Sequence, residues 1–184
     1  MTADYIVDTL SGQLRPLRRA ALALGSNIGE RLEMLQNAVN TMLASPVVQP
    51  VAVSPVYETD PVGVWKGQDP YLNAVLVVET TAPARLLLER ALSTEDAYGR
   101  TREERWAPRT LDIDLLAYGS RVYDDPACTV PHPRAHERAF VLAPWADIDP
   151  DFQVPGHGAV RDLLAKVDTT GVRRRDDLHL VLPL

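Results

Sequence analysis

The stretch that decides the fold is Tyr71-Leu72-Asn73-Ala74-Val75-Leu76-Val77-Val78-Glu79-Thr80. A valine-rich apolar run of this kind is typical of a buried β-strand. Just before it, Asp60–Pro70 holds two prolines and two glycines, which predicts a loop. Before that loop, Val47–Tyr57 is again rich in valine and alternates with polar residues, which predicts another strand.

On the N-terminal side of this core, the pattern predicts a strand followed by a helix. Ala20–Leu24 is a short apolar run that ends at the turn residues Gly25-Ser26-Asn27, so it is predicted to be a buried strand. Asn27 or Gly29 can cap the helix that follows. Its apolar residues recur at helical spacing, namely Leu32, Leu35, Val39 and Met42.

The C-terminal side repeats the arrangement. Pro83 opens a predicted helix, because proline is tolerated in the first turn, and Gly99 stands where a C-terminal cap belongs. The apolar stripe of this helix is Leu87, Leu88, Ala91 and Leu92. Thr110–Tyr118 is predicted to be a further strand. Beyond it we expect a short helical piece in Pro131–Ala143, a helix at Ala159–Val167 and a terminal strand at Leu178–Leu182.

The order through the first two-thirds of the chain is therefore β-α-β-β-α-β. We predict an α+β fold with a ferredoxin-like antiparallel sheet, helices packed against it, and a C-terminal helix and strand. Residues 20–184 are expected to form one domain. Residues 1–19 lack clear periodicity and are interpreted as an extension that need not be ordered. Many unrelated activities share this plan, so function has to be argued from particular residues.

Composition narrows the classes of function. A net charge of −6 over 184 residues argues against a general nucleic-acid-binding protein, whose affinity comes from neutralising phosphates. No stretch approaches the roughly 20 apolar residues of a membrane span. Met1–Leu10 carries acidic residues and the basic group follows it, which is the reverse of a secretory signal. The single cysteine, Cys128, excludes an internal disulfide and suits a reducing cytoplasm, so it is expected to be a packed side chain.

Two aspartates alternate with apolar residues in Leu111-Asp112-Ile113-Asp114-Leu115. On a strand, Asp112 and Asp114 share one face with α-carbons roughly 6.6 Å apart, while their neighbours face the core. Carboxylates this close repel unless a cation lies between them. Magnesium binds one or two carboxylates together with substrate phosphates, so the pair predicts a magnesium site for phosphoryl transfer. The alternative is an exposed strand face with two solvated acids.

Four arginines lead directly into this strand, namely Arg100, Arg102, Arg105 and Arg109. The planar guanidinium matches phosphate oxygens and stays charged, so carboxylates beside these arginines indicate triphosphate chemistry. The alternative is a solvated basic loop paired with Glu103 and Glu104. No glycine-rich phosphate loop ending in Lys-Ser or Lys-Thr is present, and no protein-kinase motif is present either.

A second group of residues suggests a flat ligand. Tyr71 and Asn73 share one strand face, where the tyrosine ring can stack on a heterocycle and the amide can read its edge. Phe140 could supply the opposite wall, although core packing is the alternative for both aromatic residues. His132 and His136 are four residues apart, which would suit zinc on a helix, but the prolines at 131 and 133 argue against one. We expect His132 to donate to a phosphate instead.

At this point the sequence resembles a known family. Arg105-Trp106-Ala107-Pro108-Arg109-Thr110-Leu111-Asp112-Ile113-Asp114 resembles the signature of the 6-hydroxymethyl-7,8-dihydropterin pyrophosphokinases. The resemblance runs from about Ala20 to about Gly158. Three further segments agree with it in family order: Ala23-Leu24-Gly25-Ser26-Asn27, then Tyr57-Glu58-Thr59-Asp60-Pro61-Val62-Gly63, then Val130-Pro131-His132-Pro133-Arg134 with Glu137-Arg138-Ala139-Phe140.

The resemblance implies roles for particular positions. Asp112 and Asp114 would hold two Mg²⁺ ions that bridge the ATP phosphates, and Arg100 and Arg109 would grip phosphates during catalysis. ATP-contacting positions of the family fall on Glu95, Arg102, Trp106, Leu115, Thr129, His132 and Arg138. Pterin-contacting positions fall on Thr59, Pro61, Val62, Tyr71, Asn73 and Phe140. In the family, Arg102 and Trp106 belong to a mobile arginine loop, and Gly63 begins a second mobile loop.

The implied reaction is attack of the pterin hydroxyl on the β-phosphorus of ATP, with AMP leaving. The resemblance implies ATP and the pterin alcohol as partners. The net charge, the lack of a long apolar run and the single cysteine lead us to expect no nucleic-acid or membrane partner and a cytoplasmic protein, which we expect to be a monomer. The sequence identifies no general base. Two other classes stay open. An RNA-binding module should carry stacked aromatics in an RNP-type motif, and none is found. An inactive regulatory relative should lack one of four residues that are all present, namely Asp112, Asp114, Arg100 and Arg109.

Overall fold

The computed structural model describes residues 5–7, 14–60, 69–99 and 110–183 of the chain. The helices are α1 Arg31–Leu43, α2 Ala84–Ala97, α3 Ala139–Ile148 and α4 Val160–Leu164, with a 3-10 turn at Ala135–Glu137. The strands are β1 Tyr5–Val7, β2 Leu14–Pro16, β3 Arg18–Ser26, β4 Val48–Val53, β5 Val56–Thr59, β6 Tyr71–Thr80, β7 Asp112–Tyr118, β8 Tyr123–Asp125, β9 Cys128–Val130, β10 Gln153–Val154, β11 Gly158–Ala159 and β12 Val172–Arg175. Within these ranges, no helix is long and apolar enough to cross a membrane.

One six-stranded sheet forms the centre of the molecule. Strands β12, β5, β6, β3 and β7 lie side by side in that order, and β4 also pairs with β6. Every pairing in this sheet is antiparallel. The predicted strand at Tyr71–Thr80 is confirmed as β6, which pairs with β3 along nine residues. The chain therefore has an α+β fold built on an antiparallel sheet.

Helices pack on both faces of the sheet. Helices α1 and α2 bury one face, whose core includes Leu22, Leu24 and Leu76. Helices α3 and α4 pack on the opposite face, here called the α3 face, against Val75 and Val77 among others. The alternation predicted for β7 is confirmed, because Leu111, Ile113 and Leu115 are buried with α1 and α2. Asp112 and Asp114 consequently lie on the α3 face and remain partly exposed.

The single strand predicted over Val47–Tyr57 is wrong, because the structure divides it into β4 and β5. The break falls at Ser54 and Pro55. Proline has no N–H to give to a ladder, and the Ser54 hydroxyl takes over the local hydrogen bonding. It donates to the Pro55 carbonyl at 2.8 Å and accepts from the Val75 N–H at 2.8 Å. Both segments still pair with β6.

The terminal strand predicted at Leu178–Leu182 is also wrong. The last strand is β12, which pairs with β5. The alternation in the terminal segment nevertheless has a physical meaning, because Leu178, Leu180 and Leu182 pack against the core beneath α1 and α2. No strand partner is assigned there. Instead the Gln36 amide bonds both the N–H and the carbonyl of Val181, at 2.9 and 2.8 Å.

Several element boundaries differ from the prediction. Strand β3 begins at Arg18 rather than Ala20, because its pairing with β6 extends to Thr80, and β1 pairs with β2 within residues 1–19. The N-cap of α1 is Glu30, without a side-chain cap bond, rather than Asn27 or Gly29. Pro83 is the N-cap of α2 rather than its first residue. The helical piece within Pro131–Ala143 is the 3-10 turn followed by α3, which continues to Ile148.

Candidate active site

A single row of register partners crosses the sheet on the α3 face. It runs from Arg174 on β12 through Tyr57 on β5, Asn73 on β6 and Gly25 on β3 to Asp112 on β7. Directly paired residues of an antiparallel sheet point to the same side. Since neighbouring strands lie about 4.8 Å apart, the α-carbons of Asn73 and Asp112 are separated by roughly 10 Å. The row therefore places the Asn73 amide on one side of Gly25 and the Asp112 carboxylate on the other.

Small residues form the floor between the two sides. An added Cβ on Gly25 would lie 3.2 Å from the Asn73 Oδ1 atom, closer than a side chain ordinarily tolerates. In the next row, Ala23 pairs with Val75 on one side and Asp114 on the other. Gly25, which has no side chain, and Ala23 therefore lie between the amide side and the carboxylate side on the α3 face.

Cationic and polar side chains surround the carboxylate side. The Asp114 Oδ2 atom lies 3.4 Å from the Arg138 Nη1 atom and 3.7 Å from the His132 Nε2 atom. The His132 Nδ1 atom accepts a hydrogen bond from the Arg134 N–H at 3.1 Å, so its ring proton is on Nε2 and faces Asp114. Burial lowers the pKa of His132, and the charge of Asp114 opposes that shift. His132 is thus a neutral donor on this side of the site.

The donor set on this side suits magnesium. Asp112 and Asp114 present oxygen ligands on an accessible strand face, and hard divalent cations prefer oxygen. Among the residues that the structure describes, no cluster of three or more His, Cys, Asp or Glu side chains has the arrangement of a metal site. A bound Mg²⁺ ion would therefore need oxygens from phosphates or water in addition to these two carboxylates. The His136 ring stacks on His157 at 3.8 Å between centroids, whereas the His132 Nε2 atom lies near Asp114, so the two imidazoles contact different neighbours.

The amide side is polar and fixed in orientation. The Asn73 Nδ2 atom donates to the Thr59 Oγ1 atom at 2.7 Å, and both residues are buried. This bond leaves the Asn73 Oδ1 atom on the side of Gly25. Tyr71 pairs with Thr59 and is partly exposed. Phe140, also partly exposed, lies in the first turn of α3, and the Arg138 guanidinium carbon is 5.7 Å from its ring centroid. Tyr71 and Phe140 are therefore available to a ligand.

Other predicted site residues lie elsewhere. Glu95 is 1% exposed, and its carboxylate accepts the Ile113 N–H at 2.7 Å, which places it in the core beside β7. The Leu115 side chain is in the same core. Thr129 lies on the exposed β8–β9 hairpin, where its hydroxyl donates to the Asp125 carbonyl at 3.1 Å. Six predicted positions lie outside the described residues, namely Pro61, Val62, Arg100, Arg102, Trp106 and Arg109.

Sequence reasoning missed three members of the row, and one of them, Arg174, carried no site prediction at all. Gly25 was interpreted as a turn residue, yet its missing side chain leaves space beside Asn73. Tyr57 was assigned only to a strand, yet it is the direct neighbour of Asn73 on the site face. The alternation of Tyr57 and Thr59 along β5 carried part of this signal. The β5–β6 register that places Tyr57 beside Asn73 was not visible in the sequence.

The α3 face of the antiparallel sheet combines two groups of side chains. Carboxylates lie there next to Arg138 and His132, and an amide lies there next to aromatic rings. This combination indicates one class of enzyme. It is a transferase that moves a phosphate-containing group onto a small flat acceptor. An RNA-binding module of this plan would need an open sheet face for bases. Here α3 and α4 pack on that face. The sequence profile of the 7,8-dihydro-6-hydroxymethylpterin-pyrophosphokinase (HPPK) family matches residues 21–150, and the chain belongs to this family.

Three relatives match this sequence along most of its length. A 2-amino-4-hydroxy-6-hydroxymethyldihydropteridine pyrophosphokinase from Methylorubrum extorquens is 46% identical over 158 residues, which cover 86% of this chain and 99% of the relative. The protein of the same name from Pseudomonas aeruginosa is 39% identical, with 86% and 97% covered. That from Mycobacterium bovis is 38% identical over 179 residues, with 91% and 92% covered.

Solved structures support the fold. Wild-type Plasmodium falciparum HPPK-DHPS with pteroate superposes with a TM-score of 0.60 at 14% identity, covering 84% of this chain. An HPPK-DHPS in complex with substrates gives a TM-score of 0.59 at 12% identity, covering 82% of this chain. This chain spans 43% of the length of each of those proteins. The likeness therefore concerns the fold of their matching part alone.

Proposed function

We infer that the chain transfers diphosphate from ATP to the hydroxyl of 6-hydroxymethyl-7,8-dihydropterin, giving AMP and the pterin diphosphate in folate biosynthesis. The reaction is that of the family to which the chain belongs. The structural observation that supports it is the row of register partners from Asn73 through Gly25 to Asp112. A pterin held at Asn73 would extend its hydroxymethyl group across the glycine towards phosphates held beside Asp112. The separation of roughly 10 Å fits a bicyclic ring and the group it receives.

The acceptor is proposed to bind on the amide side. Tyr71 and Phe140 would stack on the two faces of the pterin ring, and Thr59 and Asn73 would read its edge. The Asn73–Thr59 bond supports this role, because it fixes which end of the amide faces the ligand. Pro61 and Val62, which follow Thr59 in the chain, complete the proposed pterin contacts.

The phosphates are proposed to bind on the carboxylate side. Asp112 and Asp114 would hold two Mg²⁺ ions, which offset the negative charge of the phosphates. His132 would donate from Nε2 to a phosphate oxygen, and Arg138 would supply a positive charge beside Asp114. Arg100 and Arg109 are proposed to stabilise charge during transfer, and Arg102, Trp106 and Thr129 to contact ATP. Leu115, buried as a side chain, would contribute backbone only.

Glu95 is proposed to act on the ATP side indirectly. Its carboxylate accepts the N–H of Ile113, the residue between the two aspartates. Strand β7 is at the edge of the sheet, so the N–H groups on its outer side have no neighbouring strand to bond and need other partners. The Glu95 carboxylate is such a partner for Ile113. Holding Ile113 holds the two aspartates that flank it, so loss of Glu95 would disturb the carboxylates as a pair.

The proposal also covers the fold plan, the role of Cys128, and the partners and oligomeric state of the protein. The strand order β7-β3-β6-β5 with its two helix crossovers supports a ferredoxin-like plan at the centre of the sheet. Cys128 is buried, and burial raises the pKa of its thiol, which supports a packing role. We propose a cytoplasmic monomer that acts on ATP and the pterin alcohol, without nucleic acid or membrane as partner.

A direct experiment tests the reaction. Purified protein is incubated with ATP, magnesium and the pterin alcohol, and nucleotides are separated by chromatography. AMP should form in a 1:1 ratio with pterin diphosphate, and omission of either magnesium or the pterin should stop its formation. Formation of ADP with pterin monophosphate, or AMP that does not depend on the pterin, would contradict the proposal.

A further inference from the structure

Two side chains from neighbouring strands donate hydrogen bonds to one carboxylate of α3 beside the proposed pterin site. The Tyr57 hydroxyl of β5 donates to the Asp147 Oδ2 atom of α3 at 2.9 Å. The Arg174 Nη1 atom of β12 donates to the same oxygen at 3.1 Å. Arg174 and Tyr57 are also direct register partners, so the sheet itself holds the two donors side by side. Asp147 thus ties α3 to two neighbouring strands at once.

The position of this contact relates it to the proposed pterin site. Tyr57 is the register partner of Asn73 and shares its face. Asp147 follows Phe140 by seven residues on α3, which is about two helical turns, so both side chains project from the same side of the helix. The contact therefore lies across the gap between α3, which carries Phe140, and the strand pair that carries Thr59 and Asn73.

The two ends of α3 are anchored differently. Arg138, the N-cap residue, contacts Asp114 on the carboxylate side. Asp147 lies in the last turn, which contains no basic residue, and a carboxylate there opposes the helix dipole. The donors Tyr57 and Arg174 offset this unfavourable position. The first anchor belongs to the phosphate half of the site, and the second to the amide half.

We propose that Tyr57, Asp147 and Arg174 form a brace that sets the width of the pterin slot between α3 and the β5–β6 strand pair. The proposal rests on the function inferred above. These are positioning residues, since they act through Phe140, Thr59 and Asn73. The Tyr57 hydroxyl is protonated at neutral pH and can donate to Asp147; burial first, and then this hydrogen bond, raises its pKa to about 12.

The test compares two tyrosines that each lose one hydroxyl. Tyr57→Phe removes the brace bond and keeps the ring. Tyr118→Phe is the matched control, because the Tyr118 hydroxyl donates to the Ala82 carbonyl at 2.8 Å on the opposite face of the sheet. Titration calorimetry with the pterin alcohol should give a Kd raised roughly 3–10-fold for Tyr57→Phe, the size of one net hydrogen bond. Kd for a non-hydrolysable ATP analogue with Mg²⁺ should not change, and Tyr118→Phe should change neither value.

A second variant pair separates positioning from general destabilisation. Asp147→Asn keeps an oxygen acceptor for Tyr57 and should retain pterin affinity better than Asp147→Ala. In the Asp147→Ala background, Tyr57→Phe should cause no further loss, because its partner is already gone. Unchanged pterin affinity in Tyr57→Phe would overturn the brace, as would equal losses for pterin and ATP analogue. The wild-type protein in the same titrations tests the inferred function separately, since it must bind pterin and release AMP whatever the variants do.

Discussion

A Cβ atom placed on Gly25 would lie 3.2 Å from the Oδ1 atom of Asn73. The Asn73 amide cannot easily yield, because its Nδ2 atom is held by Thr59 at 2.7 Å in a buried position. Gly25→Ala should therefore displace the amide and weaken pterin binding about tenfold, within the range of overpacking costs. Calorimetric titration with the pterin alcohol measures the change.

A control for this prediction comes from the partner residue. In an Asn73→Ser background the shorter side chain relieves the contact, so adding Gly25→Ala should cost little further pterin affinity. An additive loss in the double variant would mean that Gly25 acts through the ligand or the backbone and not through Asn73.

Asp112→Ala or Asp114→Ala should lower the rate of AMP formation by at least about 100-fold at saturating magnesium, because each removes a proposed metal ligand. The fold should survive, since both side chains are partly exposed on β7. Asp124→Ala, on the exposed β8 strand, is the matched control and should keep wild-type turnover. Thermal unfolding by circular dichroism checks stability in all three variants. Near-normal turnover in either β7 variant would contradict the two-metal proposal.

The sequence predicted β6 and β7 well because their signals are local. A long apolar run and a strict alternation of apolar and acidic residues each specify burial without reference to a partner. The terminal segment shows the limit of that reasoning. Leu178, Leu180 and Leu182 alternate as in a strand and do pack inward, but the Val181 backbone between them bonds the Gln36 side chain of α1 rather than another strand. The periodicity of a sequence indicates which side chains are buried, but it does not indicate which groups form hydrogen bonds with the backbone.

Site residues divide in the same way. Alternation predicts that Asp112 and Asp114 share one face of their strand and that Tyr71 and Asn73 share one face of theirs, and the structure adds that both pairs lie on the α3 face. Glu95 could not be located from sequence, because a helical acid is ordinarily solvent-exposed and only the position of β7 explains its burial. The contact of Tyr57 and Arg174 with Asp147 depends on long-range register and helix packing, which no local pattern encodes.

Tyr71→Ala and Phe140→Ala should weaken pterin binding by roughly 10–100-fold, the scale of losing one stacking surface. The loss for an ATP analogue should be much smaller. Tyr71 is partly exposed, so its truncation should cost little folding stability, whereas Phe140 also packs against the core on the α3 face and its truncation should cost more. Separate titrations of the two ligands, with melting temperatures in parallel, make the comparison. Equal weakening of both ligands with a lowered melting temperature would indicate that these rings serve the core.

The pKa of Tyr57 predicts how stability depends on alkaline pH. Its pKa in the folded chain is raised to about 12, chiefly by burial, from an ordinary value near 10. The stability linked to this shift is fully present below pH 10 and is lost as pH rises towards 12. Tyr57→Phe should therefore show a smaller fall in unfolding free energy between pH 9 and 11, measured with urea. Burial raises the pKa of Tyr118 too, so the slope should shrink without vanishing. An unchanged slope would show that Tyr57 titrates normally.

Arg90 should stabilise the fold by capping a helix to which it does not belong. From α2 its guanidinium donates to the carbonyls of Thr41 and Met42, at the C-terminal end of α1, where α1 has no basic residue of its own. Arg90→Ala leaves those carbonyls without that partner and removes a cation from the negative end of the helix dipole. The expected loss is about 1–2 kcal/mol, or roughly 2–8 °C in Tm for a chain of this size.

Arg85→Ala is the matched control on the same helix, because Arg85 pairs with Glu89 at 3.1 Å on the exposed surface, and such pairs contribute little. Equal melting temperatures for the two variants would refute the capping role, while pterin and ATP binding should stay unchanged in both.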